Sequence, residues 1–243
     1  MKISVVTPTI RREGLDLILE SLSKQTFKDF EFIVCSPFPV YDERVRWIME
    51  RPKHEGDYYS LEKSWNDLFR NSKGELIVTV CDLEYIKPDA LERLWARYEE
   101  DPCACVSGFG DQFKDVVNGV GVNLVWSDIR PRVYAPSNIV NFDQALCSFP
   151  RKAVFAVGGL EEDFDRVAAN GEHEFCMRLV KFGYSLWLDP EIQYIAKFHP
   201  RINDKWDEMF KKGQDMLKIY EDLIINHNRL KLDYLGDYLD NKK

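Results

Sequence analysis

Apolar runs with strand character alternate along the first hundred residues with segments in which apolar positions recur every three or four residues. "KISVVTP" (2–8), "FEFIVCSPFP" (30–39) and "ELIVTVC" (75–81) are nearly continuous in β-branched and apolar residues, the pattern of strands buried on both faces. Between and after them, Leu15, Ile18, Leu19 and Leu22 fall at helical spacing. "SLEKSWNDLFRNSKG" (60–74) reads as a helix, with Ser60 as N-cap and Gly74 as stop. "KPDALERLWARYEED" (87–101) carries its proline near the first turn, where a missing N–H costs least. "DERVRWIMER" (42–51) reads as a short helix. Strand and helix in alternation predict an α/β fold: a mostly parallel central sheet flanked by helices. Ligands bind such sheets outside the carboxyl ends of the strands. Residues 8–12, 35–37 and the pair Asp82 and Glu84 fall at those ends.

The second half is less regular. Short strands and loops are expected over 103–150. A Gly-Gly turn follows "RKAVFAV" (151–157), a helix covers "EHEFCMRLVKFG" (172–183), and one or two strands lie in 184–200. From 203 on the pattern is helical, with a broad apolar stripe (Met209, Phe210, Met216, Leu217, Ile219, Tyr220, Leu223, Ile224) that calls for packing on the main domain or on a second copy. Homo-oligomerisation through these C-terminal helices follows as an expectation.

At 243 residues the chain is long enough for a substantial core, and the formal net charge of −8 argues against broad nucleic-acid binding. The start lacks a secretion-type apolar segment, and no run approaches a membrane span. Six cysteines without CxxC spacing read as reduced thiols. A cytoplasmic protein is the expectation.

Candidate chemistry lies in carboxylates. Asp82 and Glu84 are two apart, so an extended backbone would point both the same way and let them share a divalent cation; a solvated loop ahead of a helix is the plainer alternative. Glu172 and Glu174 open a helix, where acidic residues are common for dipole reasons alone. Gly158 and Gly159 permit close backbone approach to a ligand or simply a turn. Lys197, His199 and Arg201 alternate after an apolar strand and suit a phosphate or metal site.

The order of these segments resembles a family 2 glycosyltransferase with the GT-A fold. The opening strand and "L.SL..QTF..FE.IV", the "GELIVTVCDLEYIKPDAL" block with its DxD-like Asp82 and Glu84, "VGGLEEDF" and "GEHEFCMRLVKFGY" carry the likeness over about residues 2–200. The resemblance implies a catalytic domain over 1–202, with a nucleotide-binding half (1–100) and an acceptor half (101–202), and a helical extension over 203–243. It implies transfer of a sugar from a nucleotide diphosphate, UDP above all, to an acceptor hydroxyl with inversion. Mn²⁺ or Mg²⁺ would sit on Asp82, Glu84 and His199. Glu172 would be the general base, with Glu174 as fallback. Pro8, Thr9, Arg11, Ser36, Lys63, Asn66, Asp82, Gly159 and Arg201 would meet the donor. The acceptor is left open among saccharides, lipids and other molecules. Departures are the glutamate at 84, "CSPFPVYDE" in place of an aspartate-rich turn, and Gly171 ahead of Glu172. A non-catalytic nucleotide-sugar binding module and a nucleotidyltransferase are the alternatives.

Overall fold

The computed structural model describes residues 1–142, 145–200 and 205–236. The elements run β1 (Ile3–Pro8), α1 (Asp16–Ser23), β2 (Phe30–Ser36), β3 (Val45–Met49), α2 (Leu61–Asn71), β4 (Leu76–Val80), β5 (Glu84–Ile86) and α3 (Ala90–Glu100). Then come β6 (Ala104–Val117), β7 (Val120–Trp126), β8 (Ala135–Pro136), β9 (Leu146–Pro150), α4 (Arg151–Val157), α5 (Gly171–Lys181), β10 (Ser185–Lys197) and α6 (Trp206–Asn226).

One sheet joins them, in the order β3-β2-β1-β4-β9-β6-β10-β5, with β7 beside β6 and β8 beside β10. Strands β3, β2, β1 and β4 are parallel neighbours. The run continues through antiparallel β9 into the parallel pair β6 and β10. This is the α/β layering expected of a GT-A fold, followed by a C-terminal helix. The sheet crosses residue 100 without a break, so the two halves expected from the sequence share one framework.

The continuous apolar runs exist because both faces of the sheet are covered. Ile3 and Val5 of β1 pack with Ile18 and Leu22 of α1 and with Leu91 and Leu94 of α3 on one face. Val6 packs with Trp65, Leu68 and Phe69 of α2 and with α4 and α5 on the other. Each such fully buried side chain stabilises the fold by about 1.5–3 kcal/mol.

Four expectations change. Residues 45–49 form a strand, not a helix: Val45, Ile48 and Met49 satisfy a helical template, but the open edge of β2 takes the segment as a parallel neighbour, Phe32 opposite Val45 and Ser36 opposite Met49. The middle is more regular than its sequence, since β6 runs 14 residues and pairs with three other strands. The tail has a single described helix. Its Tyr220 joins Phe164 and Val167 in a small cluster, and Leu232 then hydrogen-bonds Val157 O at 2.9 Å, so this segment packs on its own chain. Gly74 is not the stop of α2; a Cβ there would overlap the backbone of Ile3 and Ser4. All six cysteines are unbridged. Among the described residues, no helix is long and apolar enough to cross a membrane.

Candidate functional site

The carboxyl ends of β1 and β4 lie side by side, because the two strands are parallel neighbours. β1 ends at Pro8, and Thr9 N–H is held by Cys35 O at 2.9 Å. Beyond β4, Asp82 faces the loop that follows β1. Its carboxylate accepts from Thr9 Oγ1 at 2.7 Å and from Arg11 Nη1 at 2.8 and 2.9 Å. Arg11 Nη2 lies 3.2 Å from His199 Nδ1, on the segment after β10. Gly14 closes the loop over this group: a Cβ there would stand 3.0 Å from Asp82 Cβ and 3.2 Å from Thr9 Oγ1. Sequence reasoning missed Gly14, although a glycine between the strand and its helix was its signal. Four expected residues, Thr9, Arg11, Asp82 and His199, are therefore brought together, with Pro8 beside them.

Glu84 is not among them. Leu83 adopts a left-handed φ of +64°, which breaks the extended geometry that would have aligned the two carboxylates. Leu83 is pinned there by N–H to Gly14 O and by Lys197 N–H on its own carbonyl, both at 2.9 Å. Glu84 consequently enters β5 with a buried carboxylate that accepts the Cys81 N–H at 3.0 Å. The expectation that Asp82 and Glu84 converge is corrected. Among the described residues, no three His, Cys, Asp or Glu side chains gather as a metal would require. The donor set Asp82, Glu84 and His199 does not fit a metal as arranged.

Most of the other expected donor contacts are engaged inside the protein. Ser36 Oγ donates to Phe38 O at 2.6 Å and accepts from Trp47 Nε1 at 3.0 Å. Lys63 is paired with Asp57, both nearly fully buried. Asn66 binds Leu160 N–H at 2.8 Å and Leu160 O at 2.9 Å, fixing the turn after Gly159. Gly159 has φ +90°, and a Cβ would overlap Asn66 Oδ1, so close packing requires this glycine. Arg201 lies outside the described residues.

The acidic turn 161–165 is a hub. Arg51 holds Glu162 and Asp67; Arg229 and Tyr234 hold Glu161; Tyr220 donates to Asp163 at 2.6 Å. Asp165 caps α2 from outside, accepting from Glu62 N–H at 2.9 Å and Lys63 N–H at 3.3 Å. Ser60 stands at the N-cap position but its side chain caps nothing.

Glu172 and Glu174 have different surroundings. Glu174 is buried and gripped by Arg178 through two bonds of 2.7 Å, while Arg178 also donates to Val157 O and Gly159 O, both at 2.7 Å. That pair removes Glu174 from solvent and makes it a support of the Gly-Gly turn rather than a spare base. Glu172 is half-buried and lines a cavity of about 230 Å³ with His173, Asp128, Arg130 and Trp126. Burial pushes the Asp128 carboxyl up, but hydrogen bonds from Arg130 outweigh it and hold Asp128 below the usual range. Glu62, also missed in the sequence, packs its carboxyl against Gly171. Burial, and then the negative fields of Asp165, Glu172 and Glu174, push the Glu62 carboxyl well above the ordinary glutamate value. Asp165 links this cluster to the first: its carbonyl accepts Tyr59 N–H at 2.8 Å, and Tyr59 lies within the field of Arg11.

No protein-family model matches the chain. No curated protein matches it in sequence. Solved structures do match in shape. S. aureus TarS 1–349 in complex with UDP-GlcNAc superposes with a TM-score of 0.63 at 17% identity, over 90% of this chain and 66% of that one. The same protein in complex with UDP gives 0.62 at 17% identity, over 90% and 65%. A longer TarS chain gives 0.60 at 18%, over 93% and 40%. The chain thus spans just under two thirds of the shorter TarS chains it resembles. At these identities the likeness shows a shared fold.

Proposed function

We propose that this chain is a nucleotide-sugar-dependent glycosyltransferase that binds its donor at the carboxyl ends of β1 and β4. The observation that carries this is the group Thr9, Arg11, Asp82 and His199, drawn to that end of the sheet from three separate segments. Parallel α/β sheets bind ligands there. A fold shared with a protein crystallised with UDP and UDP-GlcNAc supports a UDP-sugar as donor.

Pro8, Thr9 and Arg11 line the donor pocket. The acceptor hydroxyl oxygen attacks the anomeric carbon as its bond to the diphosphate oxygen breaks. The electron pair leaves with the nucleoside diphosphate, and the hydroxyl proton passes to Glu172. Attack opposite the leaving group inverts the anomeric centre. Glu172 suits the role because it borders a cavity, whereas Glu174 is closed in by Arg178. The residues expected to hold Mn²⁺ or Mg²⁺ do not converge, and the steps above need neither.

Thermal melting with UDP, UDP-GlcNAc and other nucleotide-sugars tests donor binding: a true donor raises Tm. Glu172→Gln is expected to keep that rise and to lose transfer by roughly 10²–10⁴-fold. Full transfer by Glu172→Gln would place the base elsewhere. A nucleotide that binds without any transfer or hydrolysis would favour a binding module.

A further inference from the structure

We infer that the cation meeting the donor's diphosphate is the Arg11 guanidinium, mounted on Asp82, in place of a divalent metal on the Asp82–Glu84 pair. This rests on the donor site proposed above.

The position a metal would take beside Asp82 is already served by a cation. Arg11 Nη1 bridges both carboxylate oxygens at 2.8 and 2.9 Å, and Thr9 Oγ1 donates to Oδ2 at 2.7 Å. Both side chains are largely shielded, at 19% exposure for Arg11 and 10% for Asp82, so solvent screens the pair weakly. The scaffold is built to hold it. Thr9 is buried, and its Oγ1 accepts the Arg11 N–H at 3.0 Å; Gly14 packs against Asp82, where an added Cβ would crowd the Asp82 carboxylate at 3.1 Å.

The second metal ligand is turned away by construction. Bringing Glu84 round to Asp82 would undo the left-handed turn at Leu83, the Glu84–Ala196 register of β5 with β10, and the Cys81 N–H bond. The first two are backbone features, which a rotamer change does not alter.

Arg11 has capacity left. Nη1 serves Asp82 and Nη2 reaches His199 Nδ1, which accepts in the tautomer protonated on Nε2. Among the described residues, Nε and the second Nη2 proton have no acceptor. A guanidinium presents donors in a planar fork that matches phosphate oxygens, and it stays charged throughout. In the reaction, the bond from the anomeric carbon to the β-phosphate oxygen breaks and its electron pair stays on that oxygen. Arg11 stabilises the added charge by hydrogen bonds and gives up no proton. The acceptor's proton goes to Glu172.

Isothermal titration of the full chain with UDP and with uridine, each in EDTA and in added Mn²⁺, tests this. Wild type is expected to bind UDP equally in both buffers. Arg11→Ala should weaken UDP by roughly tenfold to a hundredfold and leave uridine unchanged, because only the diphosphate meets the guanidinium. If Arg11→Ala fails to fold, Arg11→Lys carries the test, with a smaller loss for UDP and none for uridine. Loss of UDP binding in EDTA that Mn²⁺ restores would overturn the inference. So would an equal loss for uridine and UDP, which marks a merely structural arginine. Absence of binding by wild type to UDP in both buffers would instead refute the donor site, and the inference with it.

Discussion

Replacing Glu174 by alanine is expected to be among the most damaging single changes in this chain, although no substrate contact is assigned to it. Arg178 has no exposed side-chain surface and Glu174 has 1%. The guanidinium makes four bonds of 2.7 Å, two to Glu174 and one each to Val157 O and Gly159 O. The substitution removes two bonds and leaves a full positive charge in the interior with two carbonyl dipoles and the face of Phe175 for company. Breaking a buried pair in this way costs about 3–5 kcal/mol. A chain of this size loses roughly 2–4 °C per kcal/mol, so Tm should fall by roughly 6–20 °C. Urea unfolding followed by circular dichroism measures the loss directly, provided the m-value is unchanged. Glu172→Ala is the control: it sits two residues earlier on the same helix, half-buried, and should cost within about 0.5–1 kcal/mol. A cost below about 1 kcal/mol for Glu174→Ala would refute the account of Arg178 as a charge that Glu174 alone compensates.

Glu62→Gln should change how stability depends on pH. The folded state holds the Glu62 proton more tightly than the unfolded chain, so this group's contribution is complete below the ordinary value of 4.5 and is lost as pH rises through the raised folded value. Wild type should therefore weaken from mildly acidic toward neutral pH, and Glu62→Gln should flatten that slope and be the more stable at neutrality; equal slopes would count against a buried Glu62. Asp165→Ala should lose about 0.5–2 kcal/mol by uncapping α2, with Asp165→Asn nearer wild type because it keeps an acceptor, as read by urea unfolding. Gly158→Ala combines a left-handed φ of +77° with a Cβ that would overlap Leu232 O, so the segment after α6 should loosen and be cut faster in limited proteolysis. Unchanged cleavage there would show that the segment does not depend on this contact.

The paired regularities of this protein are local and could be read directly. β1, β2 and β4 carry their two-sided burial as continuous apolar runs, and α1 and α3 carry their one-sided burial at helical spacing. The site's location followed, because strand ends in a parallel sheet share one side, and Asp82, Thr9 and Arg11 stand at such ends. Even the Glu174–Arg178 pair had a local signal in its four-residue spacing, though not its burial. Tertiary structure decided the rest. Whether Asp82 and Glu84 converge depended on one backbone angle at Leu83, held by Gly14 and Lys197 from distant segments. Whether residues 45–49 coil or extend depended on an open strand edge. Asp165 caps a helix that begins 104 residues earlier in the chain, at Leu61, and Glu62 owes its raised affinity for a proton first to burial and then to carboxylates on other elements. Periodicity reports which face of an element is buried; it carries no record of which other element lies against that face. Charge, capping and ligand geometry are set by that second fact.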